Sequence, residues 1–219
     1  MREDVRTVGR KRRFFEFRGG VPCLDFVNTL AWRLTDCPVE YLGHYGDLLV
    51  WGRQAGLLAP EETEALSERV AADPGGARAV VARAIALREA VHGALSAAIV
   101  GEPPDRGALT VLNRELSGAL ARLRLVEASG GSYAWAWARV DGSRELELDL
   151  PLWPVARSAA DLLTSPKLGR VKVCEGRGCG WMFLDESRNG SRRWCDSRDC
   201  GNRERVRKHL ARKKGTPRS

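Results

Sequence analysis

Four cysteines near the C-terminus form two pairs with the same internal spacing. Four residues separate Cys174 from Cys179, four separate Cys195 from Cys200, and fifteen lie between the pairs. Two thiolates a few residues apart can hold one side of a tetrahedral metal ion, and a second pair can close the site from elsewhere in the chain. The pattern therefore predicts one structural zinc ion bound by all four cysteines.

The segment around these cysteines is too short to be stable on apolar burial alone. A unit of about fifty residues buries little apolar surface, so a covalent or metal staple is expected. An iron–sulfur cluster is the main alternative to zinc, because it is also held by four thiolates. A redox centre, however, gives no reason for the many basic residues that surround this site.

The positive charge of the chain is concentrated in the same place. Residues 165–219 contain sixteen Lys or Arg and six Asp or Glu, a net charge of +10, whereas the rest contains twenty basic and twenty-two acidic residues. Four thiolates and one zinc ion together carry a charge of about −2, which leaves this segment strongly basic. Such a surface favours binding to nucleic-acid phosphates. A solvated charged surface is the alternative interpretation, but the excess is larger than solubility requires.

A basic helix is predicted to follow the last cysteine, beginning with Asn202 as its cap and ending near Lys214. Val206 and Leu210, spaced by four, are expected to pack inward on the metal core. Seven side chains are predicted to contact nucleic acid, mostly through phosphates: Arg192, Arg193, Arg203, Arg205, Arg207, Lys208 and Arg212. Arg203 is also expected to stabilise the segment, near Asp185.

Three aromatic side chains lie close to the cysteines in sequence: Trp181, Phe183 and Trp194. They could stack on the bases of a single strand. A small core around the metal is the interpretation we favour for them.

The preceding residues predict a mostly helical region with one small antiparallel sheet. Helices are expected to begin near the following residues: Pro22, Asp47, Pro60, Ala77, Asp105 and Pro151. The first should carry Leu24, Val27, Leu30 and Leu34 on one face. Alternating apolar residues predict three antiparallel strands around Leu125, Trp135 and Leu148, with Asp141-Gly142 as the second hairpin turn.

Four residues of this region are candidates for a ligand pocket: Asp25, Asn28, Trp135 and Trp137. The two tryptophans and Tyr133 share one face of the predicted hairpin. The alternative is that this sheet simply packs on the helices, and that the two polar residues cap the helix or face solvent.

Nothing in the sequence predicts catalysis. The histidines, His44, His92 and His209, lie far apart, and no phosphate-binding glycine loop or nucleophile motif is present. The four predicted metal ligands leave no open coordination position. The first residues show no apolar secretion signal, and charged residues interrupt the most apolar stretch, residues 77–100. We therefore expect no membrane association and a cytoplasmic, nucleoid-associated location.

Several segments resemble two known families. Four segments near the cysteines belong together: Trp181-Met182-Phe183-Leu184-Asp185, Ser187-Arg188-Asn189, Arg192-Arg193-Trp194-Cys195 and Cys200-Gly201-Asn202-Arg203. With them, residues 174–214 resemble the CGNR zinc finger. Three earlier segments, Phe17-Arg18-Gly19-Gly20, Leu24-Asp25-Phe26-Val27-Asn28-Thr29-Leu30 and Trp153-Pro154, resemble the ABATE domain that usually precedes this finger. The resemblance implies a bacterial, stress-linked transcription regulator with the four cysteines as zinc ligands. Asp196 and Asp199 depart from the expected neutral turn, which argues against close phosphate approach there.

The sequence thus predicts an α+β protein in three parts. Residues 1–13 form a basic tail, residues 14–165 an ABATE-like domain, and residues 170–214 a CGNR-type zinc finger ending in a basic helix. We expect a zinc-dependent, DNA-binding transcription regulator whose N-terminal domain senses a small-molecule effector or forms a homodimer. The alternative is an RNA-binding or protein-adaptor zinc module.

Overall fold

The computed structural model describes residues 6–7, 14–137 and 146–215, with side chains for residues 14–137 and 146–213. These residues form seven α-helices and three small β-sheets. The predicted α+β class is confirmed. The helices are α1 (Pro22–Val27), α2 (Tyr45–Gln54), α3 (Pro60–Ala72), α4 (Pro74–Val100), α5 (Arg106–Arg122), α6 (Trp153–Leu163) and α7 (Cys200–Gly215). Most of the basic tail predicted at residues 1–13 lies outside the described residues.

The strands are short and pair in three separate sheets. They are β1 (Arg6–Thr7), β2 (Leu30–Ala31), β3 (Val39–Glu40), β4 (Leu123–Glu127), β5 (Tyr133–Trp137), β6 (Val171–Val173) and β7 (Met182–Leu184). Strand β3 pairs parallel to β1 and antiparallel to β2, while β4 pairs with β5 and β6 with β7, both antiparallel. Only the β4–β5 sheet was predicted from the sequence.

The third strand predicted around Leu148 is not a strand in the described residues. Residues 146–149 form an irregular segment and a turn, and Leu150–Leu152 forms a 3-10 turn that leads into α6. Leu150 and Leu152 are buried there in the main core. The alternation of leucines therefore reflects burial along an irregular segment. The predicted turn at Asp141-Gly142 lies outside the described residues.

Helix α4 is the centre of the helical core. Its buried face packs against α1, α2 and α5 through small and apolar side chains such as Ala84, Leu87 and Val91. The residue Asp73 ends α3 and caps α4, because its Oδ1 accepts the Gly76 N–H at 2.8 Å. A side chain that accepts such a bond satisfies an N–H that the helix itself leaves free. The helix consequently starts three residues earlier than predicted.

Helix α1 is shorter than predicted. It ends at Val27, and the chain then turns so that Trp32 adopts a left-handed conformation with φ of 55°. A bulky residue in this region is a true outlier that an α-helix cannot contain. Leu34, expected on the buried face, is consequently 64% exposed.

A buried ion pair joins α4 to the sheet of β3. The side chain of Arg88 is only 2% exposed, and its guanidinium contacts both carboxylate oxygens of Glu40 at 2.6 and 2.7 Å. It also donates to Glu89 at 2.9 Å, and Glu89 in turn pairs with Arg33. A buried charge without a partner is strongly destabilising, so the Arg88 guanidinium and the Glu40 carboxylate each need the other. Sequence analysis did not identify this pair.

The segment that carries the cysteines shares the core of the helical region. Met182 and Leu184 of β7 lie in the same buried cluster as α1 and α4. The Asn28 side chain donates to the Met182 carbonyl at 2.9 Å and accepts the Met182 N–H at 2.8 Å. The Leu184 N–H donates to the Gly19 carbonyl at 2.8 Å. These bonds fix β7 against the end of α1.

Among the described residues, no helix combines the length and apolar character that a membrane span needs.

Candidate metal centre and nucleic-acid interface

The four predicted metal ligands lie together in the structure. The Sγ atoms of Cys174, Cys179, Cys195 and Cys200 all lie within 4.8 Å of one another, and all four residues are buried. Cys195 Sγ lies 3.8 Å from that of Cys179 and 3.6 Å from that of Cys200. A zinc tetrahedron with Zn–S bonds of about 2.3 Å has edges of about 3.8 Å. The cluster therefore fits one zinc ion.

The first cysteine pair is placed by the β6–β7 hairpin. The Cys174 N–H donates to the Trp181 carbonyl at 2.8 Å, and the Cys179 N–H donates to the Gly176 carbonyl at 2.9 Å. Gly178 adopts a φ of +76°, and a Cβ there would lie 2.6 Å from Thr35 Cγ2. Glycine is needed because this turn is both left-handed and closely covered by the loop after β2.

The second pair is placed by a turn that runs into α7. The Asp196 Oδ1 accepts the N–H groups of Arg198 at 2.6 Å and Asp199 at 3.2 Å, and Cys200 then begins the helix. The other Asp196 oxygen pairs with Arg18. Asp199 lies 3.4 Å from the Arg203 guanidinium. The two acids that depart from the expected neutral turn therefore shape it and anchor it to the N-terminal region.

The sulfur atoms also receive hydrogen bonds that suit thiolates. The N–H groups of Gly176 and Cys195 lie 3.4 and 3.3 Å from Cys174 Sγ, and Arg203 lies 2.8 Å from Cys200 Sγ. Hydrogen bonds from Cys179 and then Cys195 lower the pKa of the Cys174 thiol, while the bond to Cys174 raises the pKa of Cys195. A bound metal would favour the deprotonated form of all four thiols.

The arginine Arg192, predicted to contact nucleic acid, is held inside the segment. Its guanidinium donates to the carbonyls of Trp194 at 3.0 Å, Arg18 at 3.3 Å and Cys195, and it lies 4.3 Å from the centre of the Phe183 ring. A planar guanidinium with its donors engaged on the backbone and one face on an aromatic ring is a positioning group. Its contacts give it a structural role.

The contacts of Arg203 agree only in part with the sequence analysis. Its guanidinium contacts Cys200 and Asp199 and lies 4.4 Å from the centre of the Trp32 ring, so it does stabilise the metal site. The expected neighbour, Asp185, instead pairs with Lys172 at 2.7 Å. The hydrogen bond from Lys172, followed by that from Ser187, lowers the pKa of this carboxyl.

Helix α7 leaves the cluster after its first turn. It begins at Cys200, two residues before the predicted cap, and Glu204 is its last buried side chain, accepting the Arg177 N–H at 3.1 Å. Val206 and Leu210 are 50% and 53% exposed, so the prediction that they pack inward is wrong. The spacing of four does put both side chains on one face of α7, but no described element packs against that face.

The remaining predicted contact residues lie on the outer surface. Arg193 pairs with Glu175, Arg205 donates to the Ser197 carbonyl at 3.1 Å, and Arg207 contacts Glu204 at 2.6 Å. Lys208 and Arg212 are exposed on later turns of the helix. We define the α7 basic surface as four side chains: Arg205, Arg207, Lys208 and Arg212.

The aromatic residues near the cysteines form a small core, as predicted. Trp181 and Phe183 are buried in one cluster with the four cysteines, and Trp194 is half-buried against it. The Arg193 guanidinium lies 5.2 Å from the centre of the Trp194 ring.

The four candidate pocket residues do not lie together. Trp135 and Trp137 line one open cavity of about 450 Å³ with residues of α6, including Arg157, which lies 4.9 Å from the centre of the Trp135 ring. Asn28 instead contacts β7, and Asp25 accepts the Gly19 N–H at 2.7 Å. Burial raises the pKa of the Asp25 carboxyl to about 6.

Comparison with known sequences agrees with this architecture. Residues 170–213 match the family described as the CGNR zinc finger, the part that contains the four-cysteine cluster. No protein of curated function matches the chain. Residues 20–166, about two thirds of the chain, match the ABATE family, described as "Putative stress-induced transcription regulator". The chain belongs to the ABATE family and carries a CGNR zinc finger that could bind one zinc ion through its four cysteines.

Proposed function

We propose that the protein is a zinc-dependent, DNA-binding transcription regulator that acts on the nucleoid in the bacterial cytoplasm. The observation that carries this proposal is the α7 basic surface, because the helix that bears it starts at a predicted metal ligand and extends into solvent. The first residue of α7, Cys200, belongs to the four-cysteine cluster, and the next turns expose Arg205, Lys208 and Arg212. A zinc ion would therefore fix the base of the helix that carries the charge.

The charge distribution supports nucleic acid as the partner. Phosphate contacts supply affinity that depends on salt, and a helix with cations on several faces can approach a groove from more than one side. Three arginines are held against other groups of the finger: Arg192 by backbone carbonyls, Arg193 by Glu175, and Arg203 by Asp199 and a cysteine sulfur. The side chains of Arg205, Lys208 and Arg212 are exposed along α7, and Arg205 also donates to the Ser197 carbonyl. We propose that Arg205, Lys208 and Arg212 make the main phosphate contacts, with Arg207 releasing Glu204 to join them.

The N-terminal region, residues 14–165, is proposed as the sensing or dimerisation part. The cavity of about 450 Å³ beside α6, which we call the Trp135 cavity, supports a sensing role because its lining combines Trp135 and Trp137 with Arg157 and Lys167. Cavities with aromatic walls and a few polar groups are typical of small-molecule sites. A homodimer remains an equal prediction, which paired half-sites in bound DNA would support.

The double variant Arg207→Ala/Lys208→Ala tests the DNA interface. We expect at least about tenfold weaker binding of duplex DNA and a salt slope reduced by about 1 to 2, because each lost phosphate contact releases about one fewer counterion. The matched control is Arg78→Ala/Arg106→Ala, which removes the same charge from exposed positions of α4 and α5. Fluorescence anisotropy at several salt concentrations provides both quantities, and zinc content is measured on each variant.

Equal affinity of the two double variants at low salt would contradict the assignment of this surface. Competition between duplex DNA and structured RNA for the zinc-loaded chain separates the proposal from its alternative. DNA should displace labelled DNA at lower concentration than RNA does. Stronger displacement by RNA would favour the RNA-binding alternative. In that case the exposed side chains of Val206 and Leu210 could contact RNA bases.

A further inference from the structure

The chain that leads into α7 forms an open groove in the zinc finger. Residues 191–198, shortly before the last predicted metal ligand, line a space of about 390 Å³. Three of the lining residues are arginines, Arg192, Arg193 and Arg198, and one is an acid, Asp196. We call this space the turn groove. Its lining carries more positive than negative side chains.

Helix α7 reaches the turn groove through Arg205. The guanidinium of Arg205 donates to the carbonyl of Ser197 at 3.1 Å, and Ser197 lines the groove. A guanidinium has five N–H donors, so this one bond leaves others for a ligand. Arg205 is also exposed and belongs to the α7 basic surface. The groove and that surface therefore adjoin each other.

The carboxylate of Asp196 is compensated within the finger. One of its oxygens accepts the N–H groups of Arg198 and Asp199, and the other pairs with Arg18. Asp199 is also paired, at 3.4 Å from the Arg203 guanidinium. A carboxylate beside a cation repels an approaching anion less than a free carboxylate does. These pairs weaken the sequence argument against phosphate approach at this turn.

An exposed ion pair holds Arg193 beside the groove. The Arg193 guanidinium contacts the Glu175 carboxylate and lies 5.2 Å from the centre of the Trp194 ring, which also lines the groove. The two side chains of the pair are 53% and 47% exposed. An ion pair this exposed is weak, because water screens it. A phosphate can therefore compete with Glu175 for this arginine.

The chemistry of the lining favours a phosphate of a nucleic-acid backbone. Guanidinium groups bind phosphate oxygens through paired N–H donors, and serine hydroxyls such as those of Ser191 and Ser197 also contact DNA phosphates. A free phosphate ion would have to bind this open groove from dilute solution. A phosphate of DNA that already contacts α7 is held nearby, so its effective concentration is far higher.

We propose that the turn groove binds a backbone phosphate of the same DNA that contacts the α7 basic surface. Arg198 and Arg205 hold this phosphate, and Arg193 leaves Glu175 to join them. The site rests on the proposed function, because its ligand is part of the bound DNA. It adds a second contact surface on the turn before α7, and it makes Glu175 a residue that limits DNA affinity.

The variant Arg198→Ala of the zinc-loaded full chain tests the groove. It removes one phosphate contact and keeps the backbone N–H that Asp196 accepts. The matched control is Arg188→Ala, which removes the same charge from an exposed position of the finger outside the groove lining. We expect Arg198→Ala to bind duplex DNA about threefold to tenfold more weakly than the control, with a salt slope smaller by about 1. Fluorescence anisotropy at several salt concentrations measures both quantities.

The variant Glu175→Gln should have the opposite effect. It frees Arg193 from its carboxylate and should tighten DNA binding about twofold to threefold, as expected for release of an exposed ion pair. The matched control is Glu186→Gln, which removes the same charge from another exposed position of the finger. If the ion pair had a structural role alone, breaking it would not strengthen binding.

Two results would overturn the proposal: equal affinity of Arg198→Ala and Arg188→Ala, or binding by Glu175→Gln that is no tighter than that of Glu186→Gln. The glutamine comparison leaves the turn unaltered, so it decides even if Arg198→Ala loses zinc. Weaker binding by Arg207→Ala/Lys208→Ala but not by Arg198→Ala would overturn the groove and leave the proposed function in place. Absence of duplex DNA binding by the unaltered chain would overturn both.

Discussion

The N-terminal region and the zinc finger achieve order by different means. In the first, α4 lies within a large apolar core and needs no metal, with Ala84 and Leu87 fully buried. In the second, the buried cluster consists mainly of four cysteines and two aromatic rings. We therefore expect the finger to depend on a few strong metal–sulfur bonds, whereas the helices depend on many weak apolar contacts.

The strand β7 connects the two modes of stabilisation. Successive side chains of a strand point to opposite faces, so Met182 and Leu184 enter the helical core while Phe183, between them, enters the cysteine cluster. The metal would therefore fix the internal geometry of the finger. The N-terminal region fixes where the finger and its basic helix point.

Zinc removal should produce the largest difference between the two regions. Structural zinc contributes on the order of 10–16 kcal/mol of apparent binding free energy to small finger units. We expect a chelator to abolish amide protection from Cys174 to Cys200 while α4 and α5 keep theirs. Hydrogen exchange followed by mass spectrometry measures both regions in one experiment. Unfolding of the whole chain, or no change in the finger, would contradict the comparison.

The buried ion pair is the most sensitive polar feature of the N-terminal region. Replacing Glu40 by Ala leaves the Arg88 guanidinium, 2% exposed, without its bidentate partner. We expect a loss of about 3–5 kcal/mol in the free energy of unfolding, measured by denaturant titration with zinc bound. Glu64→Ala, at an exposed position of α3, is the matched control and should change little. The double variant Glu40→Met/Arg88→Met should recover much of the loss, and failure to recover any would argue against an uncompensated charge.

The bond between Asn28 and Met182 tests how strongly the regions are joined. Asn28→Ala leaves the Met182 N–H and carbonyl buried without partners. We expect a loss of about 2–4 kcal/mol in the free energy of unfolding, together with faster amide exchange in β7. Asn113→Ala, on the exposed side of α5, provides the control. Destabilisation with unchanged exchange in β7 would show that this bond does not hold β7 against α1.

Local patterns were predictable from sequence, and long-range pairings were not. The cysteine spacing identified the cluster because each pair lies on one turn, and the helix starts at Pro60 and Asp105 follow from capping chemistry within a few residues. The Asn28–Met182 bond joins residues 154 positions apart, and one sequence provides no signal for it.

The errors about which side chains are buried have one physical cause. A periodic apolar or charged position shows which face of a helix it occupies, but not whether another element covers that face. Val206 and Leu210 were assigned to a core and are exposed, whereas Arg88 interrupts an apolar helix and is buried. In each case, burial of the side chain depends on whether another element packs against it, and that element is distant in sequence.

The carboxyl of Asp25, which accepts the N–H of Gly19 where Gly19 contacts β7, should produce the smallest effect. Burial raises its pKa to about 6, so the folded chain holds this proton more tightly than the unfolded chain does. The stability that the protonated form contributes should therefore fall as pH rises from about 4 to about 6. Asp25→Asn keeps an acceptor for the Gly19 N–H and removes the ionisation. Relative to the parent chain, it should gain about 1–2 kcal/mol in unfolding free energy across this window. Asp36→Asn, at an exposed position, should give no such gain. Zinc release at low pH should affect all three proteins alike. A gain in unfolding free energy that grows with pH in Asp25→Asn alone would therefore identify the buried carboxyl as its source. A gain that does not change with pH would contradict the raised pKa.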